Sequence, residues 1–532
     1  MKYLPVRLLL TAVLVSVSIL GQTLTIKTDK GAVVGRQAGV RTFLGIPYAA
    51  PPVGALRWKA PQPAAAWSQP HDAGVAGNVC PQVVLALFPV PGMAPGQMLG
   101  SEDCLNLNVF APTAAAPAAG WPVLVWLHGG SFTMGAGSLY DGSVLAEKHR
   151  LVVVTINYRL GALGFLALKS LDREQGSASG NYGLLDQQAA LQWVQKNIGA
   201  FGGDVANVTI AGESAGGMSV CALVASPLSA GLFHKGIIQS GLCLSPGNSV
   251  TGLEAGERNV KYVSKLGCSV NNLACLRAVQ PALLLKTIVP GRRPLSNQVW
   301  SPVYATPVLP LTLKAAFEQG RFNRVPLLAG TNHDEGRLFI SVASPTGKPV
   351  TLIQYWGGTG LLTGALKSRR VLTEYPFRTY GTPALAFSTM FTDAVFSCPA
   401  ETMNTAVSSF VPVYAFEFHD PKAVTKLTVP SDLPGLGSFH SSSLVYAFQS
   451  PIAGLADPAQ FDAAQSKLSD AFSLAWANFA RNGNPNVEGK SAWRSFDAAR
   501  KNVQVFTPAG VQESTGYSSD HKCAFWTRTA LP

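Results

Sequence analysis

Val208-Thr-Ile-Ala-Gly-Glu-Ser-Ala-Gly-Gly217 decides how the rest of the chain is read. Val208 to Ala211 have the character of a buried strand, and an apolar helical stretch follows Gly217. Between them, Gly212-Glu213-Ser214-Ala215-Gly216 sets a serine between two glycines. The glycines permit a sharp turn with close strand–helix packing, which presents the serine hydroxyl as a nucleophile. A bare Gly-x-Ser-x-Gly recurs by chance, and the strand before it and helix after it are what give it meaning.

Outward from this turn, apolar runs of strand length recur at Val123 to Leu127, Leu151 to Ile156, Val325 to Ala329 and Val411 to Ala415. Continuous β-branched runs suit a sheet covered on both faces. Leu184, Leu191, Val194 and Ile198 recur at helical spacing between the second run and the serine strand. Strand, helix, strand in that order predicts a mainly parallel α/β sheet, with ligands beyond the carboxyl ends of its strands. No repeat, low-complexity tract or linker interrupts the chain, so residues 22–532 read as one domain with long loop insertions.

A serine hydroxyl needs a base to take its proton, and the base needs an acid to orient it. After a turn of this kind the acid precedes the histidine in the chain. Gly330-Thr-Asn-His-Asp-Glu-Gly336 follows a buried run and offers Asp334 or Glu335, between which the residues themselves do not choose. Among the later histidines, His333 is too near those acids and His521 reads as a surface residue beside Cys523. His419 reads as a strand-end loop residue. His440, in the glycine-containing loop Gly435 to His440, is the favoured base. Trp126-Leu-His-Gly-Gly-Ser-Phe132 follows a strand, and its glycines let backbone N–H groups face an oxyanion. Gly130, Ser131 and Ala215 are the candidate donors, and His128 is read as structural.

Charged residues are only 13% of the 532 residues, roughly half the usual share, while 47% hydrophobic residues can build a large core. Lys2 and Arg7 precede a thirteen-residue apolar run, Leu8 to Leu20, shorter than the ~20 residues that span a bilayer. It reads as an export signal over 1–21, cleaved after Ser18 or Gly21, leaving no stable membrane insertion and a secreted or periplasmic protein. The net charge of +12 is scattered, densest at Arg292-Arg293 and Lys367-Ser-Arg-Arg370, which argues against a nucleic-acid partner. Eight cysteines without a CxxC pair fit an exported protein better than a metal protein. Asn207-Val-Thr209 matches a glycosylation acceptor but precedes a core strand, so burial is expected.

Together these segments resemble the type-B carboxylesterases, the α/β-hydrolase family that includes cholinesterases. Phe43 to Tyr48 with Pro51-Pro52 and Arg57-Trp58, Ser101 to Val109, Asn157 to Gly161, Gly180 to Gln187 and Phe479 to Pro485 all fit that pattern. The resemblance implies an α/β-hydrolase fold and hydrolysis of small-molecule esters without metal or organic cofactor. It implies Ser214, Glu335 and His440 as the triad. It also implies disulfides Cys80–Cys104, Cys268–Cys275 and Cys398–Cys523, which leaves Cys221 and Cys243 as free, buried thiols. Arg57 and Glu102 resemble a structural ion pair.

Three departures stand out: Ser131 where Gly or Ala is usual, Ser441 where Gly is usual, and Ser443 where an acid is common. Cholinesterases hold choline on a Trp in the first disulfide loop, through cation–π attraction. Residues 81–103 here have Phe88 as their one aromatic, with apolar Val83, Val84, Leu85, Leu87, Val90, Met93 and Met98 around it. Neutral or anionic esters are therefore expected in preference to choline esters. The competing readings are a lipase and a catalytically silent binding module.

Overall fold

The apolar runs pair into one large sheet. In the computed structural model the described residues are 22–84, 93–245, 250–286, 300–343, 347–487, 489 and 492–529. The leader, Leu85 to Val90 of the first disulfide loop and Arg292-Arg293 lie outside them. In chain order the strands are β1 (Gln22–Lys27), β2 (Ala32–Gln37), β3 (Arg41–Pro47), β4 (His71–Asp72) and β5 (Asn106–Ala111). They continue with β6 (Trp121–Leu127), β7 (Val152–Ile156), β8 (Gly203–Glu213), β9 (Lys235–Gln239), β10 (Leu327–Asn332), β11 (Val413–Phe418), β12 (Val503–Thr507) and β13 (Gly510–Ser514).

The sheet order is β1-β2-β3-β5-β7-β6-β8-β9-β10-β11-β12-β13, with β4 beside β2. Strands β6 to β12 run parallel. The hairpin-like β1, β2, β3 and β5 at one edge and β13 at the other are antiparallel. Val123, Val125, Val152, Val154, Ile210 and Leu328 are fully buried, as a sheet covered on both faces requires.

Helices α1 (Tyr182–Asn197), α2 (Ala215–Ala225) and α7 (Ala463–Asn482) pack on the central strands. Between them in the chain lie α3 (Gly336–Ala343), α4 (Leu352–Thr363), α5 (Ala365–Glu374) and α6 (Pro383–Phe391). Helix α2 contains no charged residue and is buried along its whole length, the usual fate of a helix apolar on all sides. Helix α7 begins on a capping box, with Asp462 accepting from the Gln465 N–H and the Gln465 side chain returning to the Asp462 N–H.

Two of the quoted motifs meet in the core. Arg159 makes a bidentate pair with Asp186, both bonds 2.7 Å, and neither side chain is exposed above 3%. Arg57 likewise pairs with Glu102, Nε to Oε1 at 2.7 Å.

Cys80–Cys104, Cys268–Cys275 and Cys398–Cys523 are bonded. Cys221 and Cys243, expected to be free, also form a disulfide. Cys221 lies within α2 and Cys243 follows β9. Because α2 is the crossover between the adjacent strands β8 and β9, it brings the two Cα atoms to 6.0 Å. Spacing along the chain does not reveal that return. Asn207, expected to be buried, is only partly so, its amide donating to the Arg481 carbonyl at 3.0 Å.

Candidate active site

The loops that follow β6, β8, β10 and β11 supply the candidate residues. Ser214 follows β8 in a left-handed turn, φ 57° and ψ −122°, and α2 starts at the next residue. Only glycine tolerates the packing beside that turn. A Cβ at Gly212 would stand 2.4 Å from Gly216, and one at Gly216 would stand 2.0 Å from the Leu127 carbonyl oxygen. The strain sits at Ser214 itself, a non-glycine residue at positive φ held by the elements on either side.

Glu335 comes from the turn after β10. Its Oε1 accepts the Asn332 N–H at 2.7 Å, and its Oε2 lies 2.6 Å from His440 Nδ1. Asp334, the neighbour that sequence could not set aside, faces elsewhere. It pairs with Arg337 at 2.7 Å and accepts the Ser438 N–H at 3.0 Å. His440 is buried, with the rings of Phe396 and Phe339 at 4.9 and 5.2 Å. Phe396 stands on a π-helical turn, Thr392–Ser397, a widening that is frequent near functional sites.

The opposite edge of the imidazole faces a second carboxylate. Glu213 Oε1 is 3.1 Å from His440 Nε2 and accepts the Ser441 hydroxyl at 2.6 Å. Burial disfavours the charged imidazole, but the charges of Glu213 and Glu335 outweigh it and hold the His440 pKa above its ordinary value. Burial also raises the Glu213 pKa, opposed by His440 and by the Ser441 hydrogen bond.

Next to Ser214 lies the loop after β6. Gly130, Ser131 and Phe132 all have positive φ, at 105°, 54° and 58°. A Cβ at Gly129 would meet Glu213 Oε2 at 2.7 Å, so glycine lets the loop close on the nucleophile turn. The Ala215 N–H belongs to the first turn of α2, where amides have no intrahelical partner. His128 is buried, stacked on Tyr158, with Nδ1 at 2.8 Å from the Gly129 carbonyl. Burial lowers its pKa to about 4, which favours the neutral ring near pH 7.

His521, expected at the surface, is buried instead. Its Nδ1 lies 2.6 Å from Asp393 and its Nε2 2.8 Å from Glu417. Glu417 also receives His333 Nδ1 at 2.8 Å, and His419 stacks on His333. The late histidines thus divide, with His440 among the catalytic candidates, His333 and His521 on Glu417, and His419 stacked on His333. Nothing in local sequence marks Asp393 and Glu417 as their partners.

Serine at a strained strand–helix turn, at the carboxyl edge of a mainly parallel sheet, defines an α/β-hydrolase. The chain belongs to the carboxylesterase family, whose model matches residues 22–526. It is 38% identical over 485 residues to the para-nitrobenzyl esterase of Bacillus subtilis (strain 168), covering 88% of this chain and 92% of that one. It is 34% identical over 536 residues to the cocaine esterase of Homo sapiens, covering 94% and 89%. The fumonisin B1 esterase of Sphingopyxis macrogoltabida is 35% identical over 518 residues, covering 93% and 89%. A solved PNB esterase superposes with a TM-score of 0.79 at 34% identity, over 96% of this chain and 99% of the other. The protein is a carboxylic ester hydrolase.

Proposed function

We propose that the protein hydrolyses esters through an acyl-enzyme on Ser214, with His440 as base, Glu335 as its orienting acid and Gly130, Ser131 and Ala215 as oxyanion donors. The observation that carries this reading is the buried 2.6 Å contact between Glu335 and His440 Nδ1, which turns Nε2 toward Glu213, the neighbour of Ser214, at 3.1 Å; in the proposed reaction Nε2 takes the proton. His440 takes the Ser214 proton as Oγ attacks the ester carbonyl, and the oxyanion settles on the backbone N–H groups. The alcohol leaves with the proton from His440. Water then repeats the sequence on the acyl group, releasing the acid and restoring Ser214.

Neutral or anionic esters are the proposed substrates, since the first disulfide loop has no Trp for a choline cation and the chain carries +12. A cavity of about 130 Å³ lies beside the oxyanion loop, lined by Val83, Thr133, Met134, Leu284, Leu285 and Trp300. Its apolar walls suit a short hydrocarbon or aromatic group of the ester. Removal of the leader after Ser18 or Gly21 would deliver a secreted or periplasmic enzyme of one catalytic domain. The four disulfides support that destination. No helix among the described residues is long and apolar enough to cross a membrane.

The test is mass spectrometry after brief exposure to an organophosphate, beside Ser214→Ala. One adduct, mapped to Ser214 and absent from the variant, is the expected result. Folded protein that takes no adduct would favour the silent binding module.

A further inference from the structure

Helix α4 reads Leu-Ile-Gln-Tyr-Trp-Gly-Gly-Thr-Gly-Leu-Leu-Thr from 352 to 363 and has no charged side chain. A helix apolar on all sides is normally buried, as α2 is. Helix α4 buries only one side, with Tyr355, Thr359, Leu362 and Thr363 inward. On the other side Ile353, Trp356 and Leu361 are 78%, 51% and 48% exposed, and Leu366 at the start of α5 is 99% exposed. Scattered exposed apolar residues need no explanation. Here four of the sixteen large exposed apolar residues among those described fall between positions 353 and 366.

Charge is concentrated beside this stripe. Residues 344–392 contain Lys348, Lys367, Arg369, Arg370 and Arg378 against one acid, Glu374, a balance of +4 in a chain of +12. Arg369 and Arg370 are exposed on α5, which packs against α4. An apolar stripe bearing Trp, Ile and Leu with arginines at its border is the pattern of a helix that lies in a lipid interface. The arginines suit anionic headgroups. Two copies meeting through this face would instead bring two basic segments together.

We propose that the α4–α5 hairpin docks the protein on anionic lipid surfaces. The face belongs to the lobe that walls the active site. Helix α6 packs on both α4 and α3, and α3 carries Phe339, whose ring lies 5.2 Å from that of His440. Docking there brings the site close to esters partitioned into the lipid.

The experiment is co-sedimentation of the mature protein, residues 22–532, with vesicles of phosphatidylcholine, with and without phosphatidylglycerol, at low and high salt. The comparison chain carries Ile353→Ser, Trp356→Ser, Leu361→Ser and Leu366→Ser. All four side chains are exposed, and an unchanged thermal transition certifies the fold. The expected result is binding to phosphatidylglycerol vesicles that salt weakens and that the fourfold variant loses by about tenfold or more. Arg369→Gln with Arg370→Gln should weaken binding and flatten its salt dependence. Equal sedimentation of both chains would overturn the proposal. So would a concentration-dependent dimer that the fourfold variant abolishes, because a second copy would then cover the stripe.

Discussion

Ser441 has φ 73°, a backbone conformation natural to glycine, and its hydroxyl is bound to Glu213 Oε1 at 2.6 Å. A serine in a glycine's conformation costs strain, and here the hydroxyl holds Glu213 beside His440 Nε2. Replacing Ser441 with Gly removes the hydroxyl and relaxes the backbone together. Glu213 then loses a donor that favours its charged form, and the imidazolium loses part of the charge that stabilises it. The His440 pKa should fall, so the acid limb of kcat/KM, which reports the free enzyme's base, should move to lower pH. Glu213→Gln should move it further in the same direction, and adding Ser441→Gly to that variant should change nothing more. Equal limbs in wild type and Ser441→Gly would refute the coupling. The residue scale is also where sequence reading ran out soonest. Gly212, Ser214 and Gly216 announce themselves by local spacing. Choosing Glu335 over Asp334 depends on which neighbour turns toward a loop 105 residues away, a fact no local pattern carries.

Continuous β-branched runs made the central strands legible, because a strand covered on both faces admits little else. Strand β9 carries no such signature, because Lys235-Gly-Ile-Ile-Gln239 is short, with Lys and Gln at its ends. It lies fully buried all the same, between β8 and β10. The same strand explains the unforeseen disulfide, since Cys221 and Cys243 meet only once α2 has crossed from β8 to β9. That bond closes a separation of 22 residues and, by loop entropy, is worth about 3 kcal/mol. It also ties the helix that begins beside Ser214 to the next strand. Alkylation of the unreduced protein in denaturant should therefore find no thiol, and Cys221→Ser with Cys243→Ser should lower stability by about 2–4 kcal/mol. Two labelled cysteines at 221 and 243 would mean that the bond does not form. Lost stability with kcat retained would mark it as a brace of the fold rather than of the nucleophile's geometry.

Across the whole molecule, the net charge of +12, or +10 once Lys2 and Arg7 leave with the leader, should raise kcat/KM for an anionic ester at low salt, and added salt should lower it relative to a neutral analogue. Internal charge acts on stability instead. His521 near the C-terminus bridges Asp393 and Glu417, and His333 after β10 completes the network, so four separate parts of the chain meet in one buried network. Burial alone would lower the His521 pKa, but hydrogen bonds and charges from Asp393 and Glu417 raise it from 6.5 to about 10. A pKa raised by folding means that the stabilisation is complete below pH 6.5 and drains away as pH climbs through about 10. For Glu417, burial is likewise outweighed by His333 and His521, which hold its carboxyl far below the ordinary 4.5, so its share is present above that pH and lost under acid. The requirements of His521 and Glu417 overlap between pH 4.5 and 6.5, while burial, opposed by His521, holds the Asp393 carboxyl above its ordinary range. Thermal unfolding of wild type and His521→Gln across that range and up to pH 10 tests this. The gap should be widest near pH 6, at about 3–5 kcal/mol for a broken buried pair, and should narrow steadily toward pH 10. A gap that stays constant with pH would mean that His521 acts through packing, with its charge contributing nothing.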